Sequence, residues 1–158
     1  MTDNELRAAS RGRVVAGVDG SPNSLAALRH AVHQARSRGA CVELVYVVGP
    51  DASPGAQITG LSRLEMSVRC QFPHGCDVPL RYTVECGAPA EILVQRSTSA
   101  ELLVIGGQSH PGHGGLLGGE VVPHCLARAA CPVDICGGRL TPRRAARGAR
   151  AMVKAGRA

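Results

Sequence analysis

At 158 residues the chain has the length of one domain, on the order of 100–200 residues, and can bury a full core. With no Trp, one Phe and two Tyr, that core must be built from Val, Leu, Ile and Ala, which suits a helix-covered parallel sheet and excludes a nucleic-acid binder working by aromatic stacking. The net charge of +6 lies in residues 139–158, where Arg139, Arg143, Arg144, Arg147, Arg150, Lys154 and Arg157 meet no acidic residue; the remaining 11 basic and 12 acidic residues sum to about −1, so the body offers no basic footprint for a polyanion.

Three regions are expected: an N-terminal extension over 1–12, a folded domain over 13–138 and a basic, disordered tail over 139–158. The tail is the sole place for contact with nucleic acid. No apolar run of about 18 residues is present and the N-terminus lacks a signal-peptide core, so no membrane contact and a cytoplasmic location are expected. Seven cysteines without a CxxC fit neither a disulfide framework nor a zinc ribbon, and most are expected to be small buried hydrophobes.

Along the chain, residues 13–18 (RVVAGV) form a short apolar run, closed by Asp19, Gly20, Ser21 and Pro22, that reads as a buried strand and its turn. A helix follows, with Ser21 as N-cap, Pro22 at its first position, Leu25, Leu28, Val32 and Ala35 on one face, and Gly39 as stop. His30 and His33 flank that stripe and are expected to be exposed. Residues 41–48 (CVELVYVV) make a second strand, and PDASPG a break. From Gln57 to Phe72 the spacing of Ile58, Leu61, Leu64, Val68 and Phe72 predicts a helix with those residues inward, weakened at its start by Gly60.

A third strand is expected over 78–86, a short helix after Gly87, Ala88 and Pro89 with Ile92 and Leu93 inward, and a fourth strand over 101–105. A last helix runs from Val121 to about Ala129, and a fifth strand covers 132–136. Pro123 would delay or bend that helix. The order βαβαβαβαβ predicts an α/β fold: a five-stranded parallel sheet with helices on both faces, whose ligands bind beyond the carboxyl ends of the strands. Asp19 and Gly106 both stand at such ends.

Between the fourth strand and the last helix lies GGQSHPGHGGLLGG, Gly106 to Gly119, with seven glycines in fourteen residues. Glycine lets successive amides point at an anion while the next helix offers its positive end, so a phosphate cradle is the functional reading and a plain connector the other. Neither GxxxxGK[ST] nor a GxGxxG after the first strand is present, which sets aside Walker NTPases and dinucleotide dehydrogenases. His110, His113, His124 and Cys125, with Cys131 nearby, lack the spacing of a metal site, and no nucleophile elbow is visible.

VVAGVDGSPNSLAALRHAV, GAPAEIL and LLVIGG…GLLGG…ARAACPV, in this order between Arg13 and Cys136, resemble the universal stress protein family. The resemblance implies a Rossmann-like three-layer sandwich of the adenine nucleotide alpha hydrolase type and a non-catalytic stress-response module. In the nucleotide-binding branch the loop has the form Gly-x2-Gly-x9-Gly followed by Ser or Thr, and ATP is held there. Matched residue by residue, Asp19 corresponds to the aspartate by the adenosine, Val47 and Ile105 to apolar residues near the base, Gly106 and Gly119 to the outer glycines, and Val121 to the start of the helix. Ser109 stands for the middle glycine and Glu120 for the hydroxyl. A carboxylate there repels polyphosphate where a hydroxyl would donate a hydrogen bond, so the ATP site reads as degenerate, with Glu120 able to occupy the helix end itself. A functional ATP site with slow ATPase activity, or an interaction module working through the tail, remain as alternatives. The resemblance also implies a homodimer through strand 132–136, where Asp134 would meet its own copy.

Overall fold

The structure is a computed structural model; it describes residues 12–107 and 121–137, together with the backbone of the strand Leu140–Ala145. The elements run β1 (Arg13–Gly17), α1 (Pro22–Arg38), β2 (Cys41–Val48), α2 (Pro54–Gln71), β3 (Leu80–Cys86), α3 (Pro89–Ser97), β4 (Leu102–Gly106), α4 (Val121–Arg128), β5 (Val133–Gly137) and β6 (Leu140–Ala145). The five expected strands form one parallel sheet in the order β3-β2-β1-β4-β5.

β6 extends this sheet beyond β5 and is antiparallel to it. Residues 140–145, expected in a disordered tail, form this strand instead; LTPRRA has no apolar alternation to announce it. Its Pro142 is compatible with a sheet edge, where one ladder donor can be spared. The other residues of the tail, 146–158, lie outside the described residues, as do 1–11 of the extension.

Side chains alternate across the sheet because strands have a two-residue period. Val14, Ala16, Leu44, Leu102 and Val104 pack with Leu28, Ala31 and Val32 of α1 and Leu64 of α2. Val15, Val45, Val47, Leu103, Ile105 and Ile135 pack on the opposite face with Ile92 and Leu93 of α3 and Val121 and Cys125 of α4. The helices therefore divide two and two between the faces. Capping follows the sequence: Ser21 Oγ accepts from Ser24 N, and Gly39, at φ 62°, closes α1 in the left-handed conformation. Pro123 sits in the first turn of α4, where no intrahelical amide is required.

α2 departs from expectation in two ways. It begins at Pro54, with Ser53 accepting from Ala56 N, so the supposed break is its N-cap. Its inward face carries Gly60, Leu64 and Ser67, while Ile58 is 69% and Leu61 40% exposed. Gly60 sets this rotation. A Cβ there would lie 2.8 Å from Tyr46 Cδ1 and 3.2 Å from Val84 Cγ1, so the glycine is the point of closest approach between helix and sheet.

Two buried charges sit within the layers. Glu43 of β2 is fully buried on the α3 face; its Oε2 accepts from Thr83 Oγ1 at 3.1 Å and lies 3.4 Å from Arg96 Nη1 and 3.7 Å from Arg81 Nε, and its Oε1 is 3.8 Å from Arg13 Nη1. Arg96 also pairs with Glu85. On the α1 face, Asp134 is buried and its Oδ2 lies 2.6 Å from His30 Nε2. One expectation falls here: His30 is half-buried against β5, although His33 is exposed. Asp134 faces α1 between two neighbouring strands.

Candidate functional site

The chain crosses over in opposite directions from β1 and from β4: β2 lies on one side of β1 and β4 on the other. In open α/β sheets, ligands enter beyond the carboxyl ends of two such adjacent strands, where the connections part. Asp19 follows β1, and Gly106 ends β4.

The turn after β1 is held by its own side chains. Asp19 Oδ1 accepts from Ser21 N at 2.8 Å, the Asx arrangement that prepares an N-cap. Ser24 Oγ accepts from the amides of Asp19 at 3.2 Å and Gly20 at 3.1 Å and donates to the Ser21 carbonyl at 2.9 Å. Gly20 adopts φ 87°, which an L side chain rarely tolerates. These amides are thus satisfied within the turn, and the N-terminus of α1 is closed by Ser21 and Ser24. The helix that follows β4, α4, begins at Val121.

Asn23 and Ser24 then bind α1 to the start of the glycine-rich segment. The Asn23 side-chain amide donates to the Gly107 carbonyl at 2.5 Å. A Cβ on Gly106 would lie 2.7 Å from the Asn23 carbonyl carbon and 2.8 Å from Ser24 N, so this glycine is required by helix packing whatever ligand is present. Gly137, at φ 154°, brings the end of β5 against the same Asn23 side chain, and Gly107 N donates to the Cys136 carbonyl at 2.6 Å. Neither Asn23 nor Gly137 was singled out in the sequence; a polar residue in the first turn of an otherwise apolar-faced helix was the available sign.

Of the residues matched to the family pattern, Val47, Ile105 and Val121 come together in the apolar cluster on the α3/α4 face, and Asp19 and Gly106 stand at the carboxyl ends of the adjacent strands β1 and β4. Ser109, Gly119 and Glu120 lie outside the described residues, with His110 and His113. Cys125 and Cys131 are buried and His124 half-buried, and no three His, Cys, Asp or Glu side chains gather to hold a metal among the described residues. Burial pushes the Cys125 thiol up to about 12, with Cys131 adding to it, and the Cys131 thiol up to about 11. Burial likewise raises Cys136 to about 12, helped by Asp134. No helix among the described residues is long and apolar enough to cross a membrane.

A universal stress protein of Mycobacterium tuberculosis is 37% identical over 131 residues, covering 77% of this chain and 44% of the relative. A relative in Mycolicibacterium smegmatis is 29% identical over 142 residues, 84% of this chain and 48% of its own length. The chain spans about half the length of these curated relatives. Among solved structures, a universal stress protein in complex with cAMP superposes with a TM-score of 0.62 at 27% identity, covering 80% of this chain and 97% of the other. One from Archaeoglobus fulgidus in complex with dAMP gives 0.61 at 22% identity over 80% and 98%, a likeness of fold. The model of the universal stress protein family matches residues 10–136, which include every described element except the end of β5 and β6. With the sheet order and this match in agreement, the chain belongs to the universal stress protein family.

Proposed function

We propose that the chain is a non-catalytic, adenine-nucleotide-responsive regulatory module that works in the cytoplasm as a homodimer. The observation that carries this reading is that Val47, Ile105 and Val121 share one apolar cluster while Asp19 and Gly106 stand at the carboxyl ends of the adjacent strands β1 and β4. Val47 and Ile105, buried in one apolar cluster, would back a base. Asp19, with one oxygen engaged by Ser21 N, keeps acceptor capacity for a ribose hydroxyl. The N-terminus of α4 attracts the phosphate. The relative solved with cAMP supports an adenosine monophosphate as ligand.

Glu120 immediately precedes α4 in the sequence, and each added phosphate would meet its charge. The site therefore favours AMP or cAMP over ATP and is degenerate as a triphosphate site. Catalysis would need a base and metal-holding carboxylates beside the phosphates, and the acidic residues near the site are Asp19, assigned above to the ribose, and Glu120.

Calorimetric titration of AMP, cAMP and ATP into the wild type and into the double variant Ser109→Gly, Glu120→Ser tests the reading. The wild type is expected to bind monophosphates, and the double variant to gain ATP. Equal ATP and AMP affinity in the wild type would defeat the degenerate site, silence toward all three nucleotides in both proteins would defeat the nucleotide, and steady phosphate release from ATP would defeat the non-catalytic assignment.

A further inference from the structure

β3 is the outermost strand on the side of the sheet opposite β6, and β2 is its sole partner among the described strands. Such an edge presents unpaired backbone groups and is a template for another strand. Beside it, the rotation of α2 leaves Leu61 40% exposed, and Tyr82 of β3 itself is 38% exposed. Gln57, Leu61 and Glu65 form one ridge at four-residue spacing. Gln57 Nε2 donates to Cys86 Sγ at 3.2 Å, and partial burial together with the Glu65 carboxylate raises the Tyr82 phenol, so this ridge runs alongside β3 with Leu61 between its ends.

The strand reads Leu80-Arg81-Tyr82-Thr83-Val84-Glu85-Cys86. We propose that two copies of the chain join here, β3 pairing antiparallel with its own copy about a two-fold axis at Thr83. In that register Arg81 of each copy stands opposite Glu85 of the other, and Tyr82 opposite Val84. Arg81 and Glu85 lie on the α3 face, where they neighbour Glu43 and Arg96, and Tyr82 and Val84 lie on the α2 face. The two-fold pairing thus matches opposite charges on one face and apolar side chains on the other, which is how cross-strand pairs stabilise a sheet.

A two-fold axis normal to the sheet keeps like faces together, so the centre can move only in steps of one residue along the strand. Centring on Tyr82 sets Arg81 against Thr83, and centring on Val84 sets Glu85 against Thr83. The Thr83 centre is therefore the register in which the charges meet. It also brings the two α2 helices to the same side of the joint sheet, where the two Leu61 side chains gain a partner surface. The interface is isologous and closes at two copies. At the other end of the sheet, β5 is flanked by β4 and β6, so the strand the family resemblance had pointed to has no open edge for a twin.

This inference rests on the homodimeric part of the function proposed above and is independent of its nucleotide part. Sedimentation velocity over a range of concentrations is expected to show a dimer for the full-length chain. Tyr82→Glu should weaken self-association at least about tenfold with circular dichroism unchanged. A covalent test fixes the register. In a background where Cys70, Cys76 and Cys86 are replaced by Ser, Thr83→Cys should form a disulfide-linked dimer under mild oxidation, because directly opposed residues of antiparallel strands bring their Cα atoms to about 4.5–5.5 Å. A dimer that persists in Tyr82→Glu without the Thr83→Cys cross-link would place the interface elsewhere and overturn the surface while leaving the homodimer standing. A wild type that stays monomeric at every concentration would overturn both.

Discussion

The side-chain amide of Asn23 donates to the carbonyl of Gly107 at 2.5 Å, tying the first turn of α1 to the residue that leaves β4. The same side chain fills the space in which a Cβ on Gly137 would sit. One residue therefore joins three segments at the carboxyl edge of the sheet. Asn23→Ala is expected to cost about 1 kcal/mol of stability, the usual net worth of one hydrogen bond, and to weaken AMP binding several-fold because Gly107 loses its tie. Asn23→Asp should be no better, since a carboxylate cannot donate. Denaturant midpoints and calorimetry on both variants check this, and AMP affinity unchanged in both would detach Asn23 from the site.

Adjacent glycines should behave very differently. Gly106→Ala forces a methyl against α1 backbone and is expected to cost about 1–3 kcal/mol or more, lowering Tm by roughly 2–4 °C per kcal/mol. Gly107→Ala meets its nearest atom, Ile135 Cγ2, at 3.4 Å and should cost under about 1 kcal/mol. Thermal unfolding without nucleotide separates the two; equal losses would show that helix packing is not what requires Gly106.

The Glu43 cluster gives a second asymmetric pair. Arg96→Ala removes the guanidinium nearest a fully buried carboxylate and strands Glu85 as well, with an expected loss of about 3 kcal/mol. Glu43→Met removes the buried charge and leaves three arginines that each retain some exposure. Its loss should be less than half as large. A bigger loss for Glu43→Met in urea titrations would mean that the ion cluster is a net source of stability and that desolvation is the smaller term.

Alkaline pH should unfold the protein through its buried thiols. Cys125 and Cys136 are raised to about 12 and Cys131 to about 11, so each stays protonated in the folded state after its unfolded counterpart has ionised. The stability they lend is complete below about pH 9, where unfolded thiols titrate, and is lost as pH rises toward 11–12. Denaturation midpoints should fall across that window, and Cys125→Ala should flatten the fall. At pH 8 a maleimide should label Cys70 and Cys86 first and leave Cys125, Cys131 and Cys136 untouched in the native protein.

The strands and the first helix were legible because their signals are local: apolar runs, Ser21 before Pro22, and Gly39 at a positive φ. The location of the site was legible too, since Asp19 and Gly106 mark strand ends that a parallel topology brings together. What escaped depends on distance in sequence. The rotation of α2 is decided by Gly60 meeting Tyr46 and Val84, which no periodicity within the helix reveals. His30 and Asp134 are 104 residues apart, and only the packing of α1 on β5 unites them. Glu43 did carry a sign, one carboxylate in CVELVYVV, but its arginine partners come from three other elements. β6 was invisible because Leu140–Ala145 owes its form to the edge that β5 offers.

The closed turn between β1 and α1 has a consequence for selectivity. Its amides are spent on Ser24 before any ligand arrives, so under the proposed function this turn would sort ligands by nucleoside alone, through the Asp19 carboxylate. Phosphate number would be read by the N-terminus of α4. The two discriminations would then be carried by segments far apart in the chain, and substitutions around Glu120 are expected to retune how many phosphates are accepted without moving the preference for adenosine.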